Sequence, residues 1–403
     1  MRFPRMFLLS AALLVALLSG CRQQIGGKGE TTENPESVLS RLDTDLTYDA
    51  RLWADSVLGS MSLESKCAQL FLPALYADAD SYTISRLKKY ADAGIGGIVL
   101  LKGSSSGASA IADSLAAFSH IAPFVSIDAE WGLAMRLADA PRFPANGMIS
   151  KEVGEDLMYE YGMELARECR EVGINMVLGP VIDVDSEGGF IGSRSFGMDP
   201  ERVSRLAIAY GRGVAAGNVL TVAKHFPGHG SVSTDSHRTK GIISRSLVAL
   251  DTIDLRPFRS WIEQRLPGIM VGHLAVPSID PDMLPAAVSG TVITDLLRND
   301  LGFDGLVLTD ALNMEGAEGY GPEMALKAGA DMIVAPADTY AGINAVKSAI
   351  EEGRIDSERL DDAVRKILIH KYLYALPRQQ REEPEETLAS PEADSIALRL
   401  RDP

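Results

Sequence analysis

Between residues 70 and 335 short apolar runs alternate with longer amphipathic stretches, and this alternation limits the possible folds more than any other feature. The runs are Leu70 to Leu75, Gly97 to Leu101, Phe124 to Asp128, Asn175 to Ile182, Leu220 to His225, Gly268 to Leu274, Gly305 to Asp310 and Met332 to Ala335. Helical stretches such as Glu152 to Val172 and Arg202 to Ala216 separate them. Short apolar runs of this kind, interleaved with helices, predict repeated βα units and a parallel sheet. About eight such units is the number that closes a barrel, so the expectation is an α/β fold of the TIM-type (β/α)8 class with a single catalytic domain. A doubly wound open sheet is the alternative. It is weakened because no phosphate-cradling Gly-rich turn opens a helix.

The flanks of this pattern read differently. Arg2 and Arg5 precede an apolar run from Met6 to Leu18, which ends in Leu18-Ser19-Gly20-Cys21. A basic start, a short apolar run and small residues before a cleavage point describe an export signal over 1–21, and the run is too short for a membrane-spanning helix. Cys21 after Ser-Gly resembles the bacterial lipoprotein signal, in which the thiol is acylated; an ordinary signal peptide is the alternative. The expectation is an exported protein held to the cell envelope by lipid alone. Residues 22–45 read as a flexible tether and 46–376 as the barrel domain. Residues 377–403 read as a charged linker followed by a further helix over Leu388 to Arg401, either a tail or the remnant of a second domain. Cys67 and Cys169 fall in helical stretches and read as buried free thiols, although the sequence leaves a disulfide between them open.

The formal net charge of −16 and the lack of a basic, aromatic-rich stripe exclude nucleic acid as a partner. Hydrophobic residues at 46% suffice for a large core. A monomer without cofactor is expected.

In a parallel barrel the active site lies at the C-terminal ends of the strands. Polar residues ending the apolar runs there are Asp128, Lys224 with His225, His273 and Asp310, and Arg194 falls in the loop after the fourth run. The strongest local signal is Lys224-His225-Phe226-Pro227-Gly228-His229-Gly230, followed by Asp235-Ser236-His237. Two residues apart, the Asp235 carboxylate can orient the His237 imidazole and raise its basicity, the arrangement general acid–base chemistry needs. Three histidines here could instead suggest zinc, but Pro227 and the glycines prevent the helix on which a His-x-x-x-His pair would sit. No metal is expected.

The segment Lys224 to Gly230 with Asp235-Ser236-His237 resembles the signature of glycoside hydrolase family 3, in its β-N-acetylglucosaminidase branch. Asp128-Ala129-Glu130-Trp131-Gly132 with Arg136 is similar to the family's first sugar-binding loop, Gly192 to Gly197 to its Arg loop, and Leu308-Thr309-Asp310-Ala311-Leu312 to its nucleophile strand. The resemblance runs from about Leu58 to Leu376. It implies a retaining exo-glycosidase for terminal β-N-acetylglucosamine, acting on muropeptides or other amino-sugar glycans. Asp310 would be the nucleophile, His237 oriented by Asp235 the acid/base, and Asp128, Arg136, Arg194, Lys224 and His225 the sugar-binding residues. His273 would be a wall residue. Lys224 and nearby arginines would keep Asp310 ionised. An imidazole acid/base does not repel phosphate, so phosphorolysis with the same residues is a second reading, and a catalytically idle sugar-binding lipoprotein a third. Ala311 departs from relatives that carry a second acidic residue after the nucleophile.

Overall fold

The apolar runs become strands, though shorter ones than their lengths suggest. The computed structural model describes residues 35–232, 241–376 and 388–403, with side chains from residue 47 on. Two units divide the chain between residues 45 and 46. The fold that follows is that of 46–403; of the first unit only its share of the helix Pro35–Ser60 is described. Cys21 and the residues read as an export signal lie outside the described residues, as do Asp235 and His237.

The strands in chain order are β1 (Phe71–Leu72), β2 (Ala74–Ala77), β3 (Gly97–Gly103), β4 (Phe124–Ile127), β5 (Met176–Val177), β6 (Leu220–Phe226), β7 (Gly241–Ile242), β8 (Gly268–Val271), β9 (Leu274–Ala275), β10 (Leu306–Thr309) and β11 (Ile333–Val334). Helices such as Ser81–Ala93, Ser105–Phe118, Glu155–Glu171 and Pro200–Ala216 connect them.

The closed eight-stranded barrel expected from the sequence does not form. The continuous sheet has seven parallel strands in the order β10-β8-β6-β5-β4-β3-β2 and is open, a curled half-barrel. β1 and β11 make a separate two-residue parallel ladder. The reason lies in the seventy-first to seventy-seventh residues: Pro73 has no N–H to give to a ladder and splits the run into β1 and β2. β11 is two residues long and forms no ladder with β10; an isolated bridge, Leu308 to Met332, lies just before it, and Val334 N–H donates to Thr309 Oγ1. β7 and β9 form a third small sheet that the periodicity did not indicate.

Both faces of the seven-stranded sheet are buried, as parallel strands covered on each side require, except at the edge strand β2, where Tyr76 is exposed, and the end of β3. Alternation along each strand divides the core in two. Leu306 and Leu308 join Phe124, Val222 and Met270 on one side, with Met332 and Ile367. Val307, Val125, Ala223 and Ile269 face the helices on the other. Lys371 is fully buried near the first cluster, where its Nζ donates to Gln69 Oε1 at 2.6 Å and lies 5.7 Å from the Phe124 ring centre.

Helix starts are capped by side chains that accept an orphan N–H, including Asp80, Ser104, Asp199 (followed by Pro200), Asp338 and Asp356. Each such cap contributes about 1 kcal/mol. The helix Pro391–Arg401 lies against Glu155–Glu171, burying Ala393, Ile396 and Leu400. Ser150 N–H donates to Leu400 O at 2.9 Å, and Arg399 pairs with Glu160. Among the described residues no helix is long and apolar enough to cross a membrane.

Candidate active site

Five side chains at the C-terminal ends of the four strands β4, β6, β8 and β10 gather at one end of the sheet: Asp128, Lys224 with His225, His273, and Asp310. The loop after β5 adds Asp183 and Arg194. Parallel strands in register bring these ends to one level, so positions from four separate strands converge although the strands lie far apart in the chain.

Asp128, Lys224, His225, Asp183 and Arg194 form one continuous chain of polar contacts with Arg136 and Glu130. Arg136 Nη2 donates to Asp128 Oδ2 at 2.5 Å, and Lys224 Nζ donates to Asp128 Oδ1 at 2.7 Å. The same Nζ lies 2.8 Å from Glu130 Oε1. Arg194 grips Glu130 with two parallel hydrogen bonds, Nε at 2.9 Å and Nη2 at 2.8 Å, the fork geometry that suits a guanidinium to a carboxylate. Arg194 Nη2 is 3.4 Å from His225 Nε2, and His225 Nδ1 is 2.8 Å from Asp183 Oδ2. Asp183 also accepts the backbone N–H groups of His225 and His229. Because Nε2 faces a guanidinium, which only donates, these partners assign the ring proton to Nδ1.

Exposure divides this chain into working and supporting members. Asp128, Arg136 and Arg194 keep 20%, 28% and 24% of their side chains in solvent, whereas Lys224 and Glu130 keep 3% and Asp183 none. The first three can meet a ligand directly. Glu130 and Asp183 hold the others in place.

Burial pushes the Asp128 carboxyl up, but Lys224 and Arg136 more than offset it and leave the group below its ordinary range. Glu130 is likewise held far below the usual carboxylate range by Lys224 and Arg194 against the effect of burial. Asp310 behaves the same way: burial raises it, and His225, His273, the Ala311 N–H at 2.8 Å and Lys224 together bring it below its ordinary value. The expected help from Lys224 is present, but the imidazoles and one peptide N–H stand ahead of it. Lys224 itself is held above its ordinary value, because Asp128 and Glu130 outweigh its burial.

The loop after β6 is shaped by glycine. Gly228 has φ +126°, and a Cβ there would lie 2.6 Å from that of Asp254. At Gly230 a Cβ would stand 1.8 Å from Val184 O, so only glycine lets the loop lie this close to the loop after β5. Asp254, beneath it, is pushed up to about 7 by burial despite its pair with Arg245. The described chain stops at Val232 and resumes at β7, which pairs with β9 immediately after His273.

Sequence reasoning quoted Glu130 without giving it a part and missed Asp183, Asn146 and Tyr210. Asp183 ends an apolar run just as Asp128 and Asp310 do, which was a usable signal. Asn146 donates to Arg194 O, and Tyr210 OH donates to Ala129 O; nothing local in the sequence marks either one. Among the described residues no cluster of three His, Cys, Asp or Glu side chains could hold a metal ion.

A model of the glycosyl hydrolase family 3 N-terminal domain matches residues 62–369. The chain belongs to glycosyl hydrolase family 3. A family 3 β-N-acetylglucosaminidase from Paenibacillus sp. str. FPU-7 superposes with a TM-score of 0.79 at 29% identity, over 85% of this chain and 68% of that one. A β-hexosaminidase of Nitrosomonas eutropha is 35% identical over 223 residues, 52% of this chain and 64% of its own length. A β-N-acetylglucosaminidase/β-glucosidase of Cellulomonas fimi is 28% identical over 84% of this chain and 63% of its own length. The family 3 chain thus spans less than two thirds of the length of these two curated relatives.

Proposed function

We propose that this protein is a retaining exo-β-N-acetylglucosaminidase in which Asp310 is the nucleophile and His237, oriented by Asp235, is the acid/base. The observation that carries the reading is an ionised carboxylate at the end of β10 in the field of Lys224, Arg194 and His225, beside partly exposed Asp128, Arg136 and Arg194. Membership of family 3 and relatives named as β-hexosaminidases support the amino-sugar substrate.

In the first step Asp310 attacks the anomeric carbon as the bond to the leaving oxygen breaks, and protonated His237 gives that oxygen its proton. In the second, neutral His237 takes a proton from water, which attacks the same carbon and releases Asp310. The oxocarbenium-like transition state is positive, so a carboxylate held ionised stabilises it most when bond breaking is furthest advanced. Asp128, Arg136 and Arg194 are placed to bind sugar hydroxyls, with Lys224 and His225 behind them. Terminal β-N-acetylglucosamine on muropeptides or similar glycans is the proposed substrate. Acylated Cys21 is the proposed link to the cell envelope, which Cys21→Ser should release into the soluble fraction.

Hydrolysis of a chromogenic β-N-acetylglucosaminide, compared with the matching glucoside and assayed with and without phosphate, tests the reading. The amino sugar should be preferred, with N-acetylglucosamine released in both buffers. A sugar phosphate as the main product would instead indicate phosphorolysis, and no turnover of any amino sugar would contradict the proposal.

A further inference from the structure

The residue after Asp310 is fixed from two sides. Asp310 N–H donates to Val271 O at 2.8 Å, the last rung between β10 and β8. Two residues further along the β8 chain, His273 Nε2 lies 3.0 Å from Ala311 O. A carbonyl oxygen only accepts, so Nε2 carries the proton and Nδ1 does not. Nδ1 is buried with no hydrogen-bond partner among the described residues, and His273 is 1% exposed. Ala311 in turn donates its own N–H to Asp310 Oδ1 at 2.8 Å. Ala311 therefore has its carbonyl held by the imidazole and its N–H spent on the nucleophile's carboxylate.

We infer that His273 is a positioning residue: by holding the Ala311 carbonyl it fixes the Ala311 N–H on Asp310 Oδ1, and so aims and keeps ionised the carboxylate that attacks the sugar. This rests on the reading of Asp310 as nucleophile.

A carboxylate with one oxygen tied to a fixed peptide N–H has its rotation about χ2 restricted, which leaves the other oxygen at a defined place. Burial pushes the His273 imidazole below its ordinary value and so favours its neutral form, in which the Nε2 N–H is the group that meets the Ala311 carbonyl. The other described groups that bear on Asp310 are His225 and Lys224 from β6, His229 from the glycine loop and Arg194 from the loop after β5. His273 alone among them also acts on Asp310 through a peptide, beside the direct effect it shares with the others. The contribution of His273 should therefore be separable from theirs.

The test uses the whole chain with His273→Gln, His273→Ala and Asp310→Ala in parallel, an aryl β-N-acetylglucosaminide as substrate, and side-chain 15N NMR of His273. The nitrogen shifts should report the Nε2–H tautomer from pH 5 to 8 whatever the catalytic result. His273→Ala should lower kcat/KM about 10- to 100-fold and move its acid limb up by about one pH unit. His273→Gln, whose amide N–H reaches the same carbonyl, should recover most of the rate and the wild-type limb. Equal losses in the two variants with an unmoved limb, or an Nδ1–H tautomer, would overturn the positioning role. Full activity in Asp310→Ala would overturn the nucleophile reading instead, while the tautomer result would stand.

Discussion

Asp183 Oδ2 lies 2.8 Å from His225 Nδ1, while Oδ1 of the same carboxylate accepts the His229 N–H at 2.7 Å. One fully buried side chain thus sets both the tautomer of an active-site imidazole and the course of the glycine loop that follows it. Burial raises its pKa, but His225, through charge and hydrogen bond, and His229 bring it below the ordinary value. Removing the carboxylate as Asp183→Ala strands three N–H donors. The expected cost is about 3–5 kcal/mol of stability, measured by denaturant unfolding. In protein that remains folded, kcat/KM should fall about 100-fold, because misplacing a positioning group costs on that order. A neutral result in both measurements would remove Asp183 from the site.

Glu168 gives a pH-dependent prediction away from the site. Both its carboxylate oxygens are buried with no hydrogen-bond partner among the described residues, and burial, with Glu164 nearby, pushes it up to about 9. A folded-state pKa above the unfolded value stabilises below about 4.5 and is lost as pH rises toward 9. Asp254, pushed up to about 7, acts in the same direction. Lys371, pushed down to about 7 by burial, has the opposite slope but only above that pH. Between pH 5 and 7 the histidines His229, His273 and His370, all held below their ordinary value by burial, pull the other way, so the test is the difference: Glu168→Gln should make stability at pH 7 relative to pH 5 about 2 kcal/mol more favourable than in the wild type in urea unfolding. An unchanged slope would mean that Glu168 titrates normally.

The C-terminal helix offers a contrast between a buried and an exposed contact. Leu400 is fully buried and its carbonyl accepts from Ser150, whereas Arg399 and Glu160 form a half-exposed pair. Leu400→Ala should cost about 2–4 kcal/mol and speed hydrogen exchange at the Ser150 amide. Arg399→Ala should cost less than about 1 kcal/mol. If the two variants unfolded alike, the helix would not be docked as described.

The sequence made the α/β class and the strand positions legible because apolar runs and amphipathic stretches have different periods, and each run from Phe124 to Val334 contains a strand. Closure was not legible. It depends on ladder hydrogen bonds at single positions, and Pro73 and the two-residue β11 break them without disturbing the hydrophobic pattern. The gathering of Asp128, Lys224, His225 and Asp310 followed from their place at run ends. The support from Asp183, Asn146 and Tyr210 did not, because each acts across 30 or more residues on a backbone group or a ring whose position only the folded chain supplies. The His273–Ala311 contact belongs to the same class: a histidine at a strand end is visible, its partner carbonyl is not.

The central claim is that Asp310 becomes covalently attached to the sugar. Acid quenching during steady-state turnover of a dinitrophenyl β-N-acetylglucosaminide, followed by peptide mass spectrometry, tests it most directly. The account predicts a mass gain of one N-acetylglucosaminyl group on the peptide carrying Asp310, absent in Asp310→Ala, with the first-formed product in the β configuration. An α-configured product, or a sugar adduct on any other residue, would contradict it.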